Sequence, residues 1–180
     1  VDTDNNIYVA GITNSNDFPV SWDAYQSIYK LQDAFVTKLS SSGDEILFST
    51  FLGGDGLELS NWGLDLTVDT AGCVYVTGTT ESDDFPTFNP YQPIREGDND
   101  AFASKLSSHG SALLYSTYLG GSNAETGYDI AVGSDGRACL AGNTFSSDFP
   151  TENSYQAAYK GGGAFGGIVM SRCFPRRVPP

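Results

Sequence analysis

Two stretches of this 180-residue chain are near copies of each other. Asp33-Ala-Phe-Val-Thr-Lys-Leu39, followed by Phe48-Ser-Thr-Phe-Leu-Gly-Gly54, returns 67 residues later as Asp100-Ala-Phe-Ala-Ser-Lys-Leu106 and Tyr115-Ser-Thr-Tyr-Leu-Gly-Gly121. A period of that size means repeated supersecondary units that bury their faces against one another. The other landmarks recur in step. Val1-Asp-Thr-Asp-Asn-Asn-Ile-Tyr-Val-Ala-Gly11 is matched by Val68-Asp-Thr-Ala-Gly-Cys-Val-Tyr-Val-Thr-Gly78 and by Val132-Gly-Ser-Asp-Gly-Arg-Ala-Cys-Leu-Ala-Gly142. Asp-Phe-Pro stands at 17–19, 84–86 and 148–150, and Tyr-Gln follows each at 25–26, 91–92 and 155–156.

Each unit reads as four strands. Strand A covers 63–69 and 127–132, strand B 7–13, 74–80 and 138–144, strand C 34–40, 101–107 and 164–170, and strand D 45–52 and 112–119. Tyr, Phe, Val and Thr favour strands, Gly-containing tetrads mark the A–B and C–D hairpins, and no window carries a helical apolar period. Strand D has apolar residues on both faces, as a sheet packed between two neighbours requires. The fold class expected is all-β: a β-propeller of four-stranded antiparallel blades. Blade 1 is partial over 1–62, blade 2 is complete over 63–126, and blade 3 is partial over 127–170. Residues 171–180, which hold three of the nine Lys/Arg and three of the eight Pro, read as an irregular tail.

About twenty residues separate strands B and C, at 14–33, 81–100 and 145–163. Insertions this long are functional or locally structured. Their invariant Phe and Tyr read as anchors onto their own blade. In an up-and-down blade the insertions and the D–A loops, 53–62 and 120–126, leave on one side, so that face is the expected binding face.

Several separated motifs that agree in order and spacing carry a family resemblance. Gly-x-Asp-[Ile/Leu]-x-Val, the Tyr-Val-Thr-Gly strand, Asp-Phe-Pro, Tyr-Gln, Asp-Ala-Phe-x-x-Lys-Leu and Ser-Thr-Tyr-Leu-Gly-Gly together resemble the bacterial seven-bladed β-propeller repeats often called SBBP, over residues 1 to about 170. The resemblance implies a secreted or cell-surface bacterial protein, generally without assigned catalysis. The third unit departs from it, with Gly163 and Ile168 where Asp100 and Lys105 stand. Fewer than three blades do not close a propeller, so the expectation is a fragment of a longer one, supplemented by further blades or by self-association through the apolar faces of an open arc.

A net charge of −13 opposes binding to nucleic-acid phosphates, and no apolar run reaches membrane-spanning length. The only histidine, His109, falls in a C–D turn on the face opposite the insertions, and no Ser-His-Asp grouping forms around it. Cys73, Cys139 and Cys173 share no repeat position and read as small strand residues, not as a disulfide framework. No cofactor is expected. Asp2-Thr-Asp4-Asn-Asn6 has the alternating oxygens of a Ca²⁺ loop but lacks its glycine and closing acid, so a plain hairpin is the preferred reading.

The expected function is a non-catalytic extracellular scaffold for binding or adhesion, with a protein or glycan partner. Its candidate contacts are Trp22 and Trp62, which do not recur, and the loop acids Asp55, Glu58, Asp83, Asp84 and Glu125. Trp62 is the sharper choice because it precedes the inner strand. The same acids, paired, would serve the alternative reading of a secreted carbohydrate-active enzyme. A structural spacer in a large surface protein is the third.

Overall fold

The computed structural model describes residues 1–59, 63–152, 154, 156 and 172–174. Among them there is no helix. The chain runs through β1 (Ile7–Thr13), β2 (Asp33–Leu39), β3 (Ile46–Leu52), β4 (Glu58–Leu59), β5 (Asp65–Val68), β6 (Val74–Thr80), β7 (Asp100–Leu106), β8 (Leu113–Leu119), β9 (Glu125–Val132), β10 (Ala138–Thr144) and β11 (Arg172–Phe174). Three sheets result. β1, β2 and β3 pair in order; β4 and β5 both pair β6, which continues through β7 to β8; and β10 lies between β9 and β11. All ladders within the sheets are antiparallel. The fold is an all-β partial propeller made of a B–C–D blade, an A–B–C–D blade and an A–B pair extended by β11, and among the described residues no sheet closes into a barrel.

The hairpins form where the sequence places glycine in the left-handed region: Gly72 (φ 78°) and Gly136 (φ 75°) in A–B turns, Gly43 (φ 78°) and Gly110 (φ 66°) in C–D turns. In the first A–B turn Asn5 takes that conformation instead, at φ 61°. The strand B glycine has a different purpose. Gly78 lies directly across from Phe102, and a Cβ on it would come within 2.9 Å of that ring. Gly11 and Phe35 repeat the arrangement at 2.8 Å. The missing side chain is the space the ring occupies.

Blades stack through two cores. One joins Ala34, Val36, Phe48 and Leu52 of the first blade to Val74, Val76, Phe102, Leu106 and Leu113 of the second. The other joins Tyr75, Ala103 and Leu119 to Ile130, Ala138 and Leu140 of the third. All seven residues of β6 are buried, whereas β1, at the same place in the first blade, is mostly half-exposed. Position decides this, since the two strands have similar sequences: β6 has blades on both sides and β1 on one.

Three expectations are corrected. First, the inner strand begins earlier than predicted: Glu58 pairs with Thr80 and Glu125 with Thr144, so both acids belong to sheets and not to D–A loops. Second, the tail is not wholly irregular. Arg172–Phe174 add to β10 in the place strand C should occupy, with Cys139 opposite Cys173. The strand C expected over 164–170 lies outside the described residues. Third, Cys139 is disulfide-bonded while Cys73 is a free thiol. Spacing hid this, because the strand that reaches Cys139 comes from a segment that does not obey the repeat.

Candidate functional site

The first two insertions start and end on the same side of the sheets as the D–A loops, as topology predicts, but they do not stay there. Both descend along the outer edge of strand D, while most of the third lies outside the described residues. Ser21 N donates to Ser49 O (2.8 Å) and Phe51 N to Gln26 O (3.1 Å) in the first blade. In the second, Phe88 and Ser116 exchange backbone bonds of 3.0 and 2.8 Å, and Tyr118 N donates to Gln92 O at 3.3 Å. The insertion is thus a strap that occupies the hydrogen-bonding groups of an otherwise open sheet edge.

Side chains lock the strap. Phe18 stacks 4.4 Å from Phe35 and 6.1 Å from Phe51, and Phe85 stacks 4.5 Å from Phe102 and 6.0 Å from Tyr118. These are the anchors expected of the Asp-Phe-Pro motif. Tyr25 joins the core between blades one and two, and its N–H donates to Gly110 O of the next blade, so it fastens two blades together. The glutamine of Tyr-Gln is a second clasp. Gln26 Nε2 donates to Asp33 Oδ2 and its Oε1 accepts from Gly53 N, both at 3.0 Å. Gln92 does the same with Asp100 (2.8 Å) and Gly120 (2.9 Å).

The predicted acids separate into three groups. Asp84, of Asp-Phe-Pro, accepts the backbone N–H of Asp55 at 2.6 Å, and Asp148 accepts that of Ser122 at 3.0 Å. This aspartate closes the neighbouring D–A loop. Lys30 Nζ bridges Asp84 (2.5 Å) and Asp55 (3.2 Å), and Arg95 pairs with Asp83 at 2.6 Å. Burial tends to raise the Asp84 carboxyl, but the Lys30 ammonium and the Asp55 amide hold it below the usual range. Glu58 and Glu125 are fully buried, contrary to their expected place on open loops. Glu58 Oε1 accepts the hydroxyls of Thr80 (2.9 Å) and Ser82 (2.7 Å), and Glu125 Oε1 that of Thr144 (2.6 Å). Residues missed by sequence reasoning, Lys30, Asp33 and Asp100, complete these junctions. The recurrence of Asp33 and Asp100 beside a strand start was the available signal.

Of the aromatic candidates, Trp22 is 96% exposed on the first strap, and Trp62 lies outside the described residues. Ile28 and Ile94, three residues beyond the Tyr of Tyr-Gln in successive straps, are 74% and 63% exposed. Phe88 and Tyr91 are also exposed on the second strap. The rim of the insertions is therefore apolar where its recurring polar residues are spent on internal bonds.

The opposite face carries a cavity of about 460 Å³ between the A–B turns of two blades, lined by Asp2, Asp4, Lys38, Asp69 and His109 among others. Asp2 binds Lys38 Nζ (3.0 Å), Tyr8 OH (3.0 Å), Asn6 Nδ2 (3.0 Å) and two turn amides. Burial works against its ionisation, but these donors outweigh it and keep the carboxyl well below the usual range. In the proposed calcium loop, then, Asp2 already has an ammonium ion as partner and Asn6 turns its amide nitrogen inward. Asp69, Tyr75 and Lys105 repeat the trio in the next blade, with Lys105 Nζ 3.0 Å from Asp69 and 2.6 Å from Tyr75 OH. His109 is an exposed turn residue whose Nδ1 lies 3.2 Å from Ser108 Oγ.

No protein-family model matches the chain, and no curated protein matches it.

Proposed function

We propose that this chain is a segment of an extracellular β-propeller of the SBBP repeat type and acts as a non-catalytic interaction scaffold, engaging a protein partner through the rim of its insertions. The observation that carries the reading is Trp22, 96% exposed on a strap whose backbone is bonded to β3. An aromatic on a fixed backbone has only two side-chain torsions to lose on binding and supplies a large contact area, the character of an interface hot spot. Ile28 and Ile94 extend the apolar rim to the next blade. The order and spacing of the recurring motifs support the family. A disulfide at Cys139 favours an oxidising compartment, in keeping with a secreted or surface location. The net charge of −13 disfavours nucleic acid and anionic lipid as partners.

The test is binding of the chain to an array of extracellular proteins and, in parallel, to a glycan array, comparing wild type with Trp22→Ala and with Ile28→Ser/Ile94→Ser. Protein binding that weakens by a factor of about 30 in Trp22→Ala, the loss of about 2 kcal/mol typical of a hot spot, supports the scaffold reading. Binding confined to glycans replaces the partner class, and no binding to either leaves the spacer reading. Hydrolysis of a polysaccharide panel, abolished by Asp83→Asn or Asp55→Asn, would overturn the non-catalytic assignment.

A further inference from the structure

At the junction of the first two blades a pair of carboxylates meets without a cation of its own. Asp33 opens β2 and Glu58 opens β4; both are fully buried. Their partners are unevenly distributed. Asp33 Oδ2 accepts from Gln26 Nε2 (3.0 Å) and Lys30 N (3.1 Å), and Glu58 Oε1 from Thr80, Ser82 and, at 3.4 Å, Gly54 N. Asp33 Oδ1 and Glu58 Oε2 have no hydrogen-bond partner among the described residues. Both orphan oxygens converge on Gly53, where a Cβ would collide with each of them.

The charged groups around the pair do not neutralise it. Lys30, on the first strap, spends its ammonium on Asp55 of the D–A loop and Asp84 of the second strap. The Lys30 charge still lowers Asp33, but the Asp84 and Asp55 anions act against it, and Thr80 of β6 and Ser82 just beyond it contribute only neutral hydroxyls. Two ionised carboxylates side by side in this setting would be strongly unfavourable, and losing one charge is the usual resolution.

We infer that Glu58 is held as the neutral acid at physiological pH, with its Oε2–H directed at Asp33 Oδ1, so that one proton satisfies both orphan oxygens and clasps the first blade to the second. The clasp is a pH-sensitive joint. Raising the pH removes the proton, leaves two buried anions facing each other, and weakens the junction. Burial first, and the Asp33 charge in addition, push Glu58 up to about 8 even against its hydroxyl donors. A folded value above the unfolded one means that the contribution to stability is complete below the unfolded value and is lost as pH rises through about 8.

The second junction is a built-in comparison. Asp100 lies against Gly120 and within the field of Glu125, but each carboxylate oxygen has a donor: Asp100 takes Gln92 Nε2, Glu96 N and Gly97 N, and Glu125 takes Thr144 Oγ1 and Gly121 N. Burial raises Asp100 to about 6 only, below Glu58, as its full set of donors requires.

The experiment is a carboxyl-detected NMR titration of the chain labelled with ¹³C-glutamate, with thermal unfolding from about pH 6 to about pH 9 of wild type and Glu58→Gln. Glutamine keeps the shape and donates an N–H where the acid donated its O–H. A Glu58 midpoint near 8, and an alkaline fall in Tm that Glu58→Gln flattens, are expected. A midpoint in the ordinary glutamate range, or the same alkaline fall in both proteins, overturns the inference. So does a rise in Tm at high pH on adding Ca²⁺ or Na⁺ that Glu58→Gln abolishes, which would assign the pair to a metal ion instead. Should Glu58→Gln not fold, the wild-type titration decides alone.

Discussion

Gly78 shows how one absent side chain sets the packing of a blade. The Phe102 ring lies across the glycine and stacks on Phe85, so the strand B glycine, the Asp-Ala-Phe of strand C and the Asp-Phe-Pro of the strap are one contact seen from three motifs. Gly78→Ala would force a methyl into a ring already fully buried, and a cost of about 1–3 kcal/mol is expected in urea unfolding. Asp69 makes a different kind of point. It receives the turn amides of Ala71 and Cys73 and the Lys105 ammonium. Burial would raise it, yet Lys105 and the Cys73 amide hold it below the usual range. A depressed carboxylate contributes stability above its unfolded value, near 3.8, that is lost as pH falls through the lower folded one. Asp69→Asn is therefore expected to cost about 1–3 kcal/mol near neutrality and to flatten the acid limb of Tm against pH, leaving the alkaline limb unchanged. Asp69 and Glu58, at opposite ends of the strands, thus act on opposite limbs of the stability profile.

Straps and strands are the next scale. A strap held along a sheet edge by ladder bonds alone would fray, and the buried Phe of Asp-Phe-Pro prevents that. Phe85→Ala is expected to cost about 3–5 kcal/mol. Hydrogen exchange should then speed up at Ser116 and Tyr118, whose amides bond to the strap, more than at β6. Trp22→Ala is the opposite case. At 96% exposure it should change stability by less than about 0.5 kcal/mol, so a binding defect in that variant reads as lost contact. The strap was visible in the sequence as an insertion with fixed Phe and Tyr, and the anchoring of the Phe followed. Its path was not, because nothing local distinguishes a loop that stands on a face from one that folds back along an edge. That choice depends on Ser49 and Ser116, which lie 28 residues away from their strap partners Ser21 and Phe88.

At the scale of the molecule, no sheet among the described residues packs on the outer face of the first blade. Val9 is 40% exposed where its equivalent Val76 is fully buried, and Ile46 is 43% exposed where Leu113 is 7% exposed. The difference is the absence of a neighbouring sheet, since the residues are as apolar in one blade as in the other. The chain should accordingly self-associate with rising concentration, and Val9→Lys should shift sedimentation profiles toward monomer without altering the strap contacts. An unchanged profile would mean that this face is covered in another way.

What the amino-acid sequence determined by itself is the position and order of most of the strands and their grouping into blades; β4 and β11 were not among them. The alternation of side chains, the turn glycines and the period of 67 are all properties of near neighbours and of recurrence. What only the tertiary structure decided is where polar groups end up: Glu58 and Glu125 inside strands, Lys30 across two loops, and a late strand laid against Cys139. An acidic side chain has the same identity in a solvated loop and in a sealed junction. Its charge, its partners and its contribution to stability are set by the residues that a distant part of the chain brings beside it.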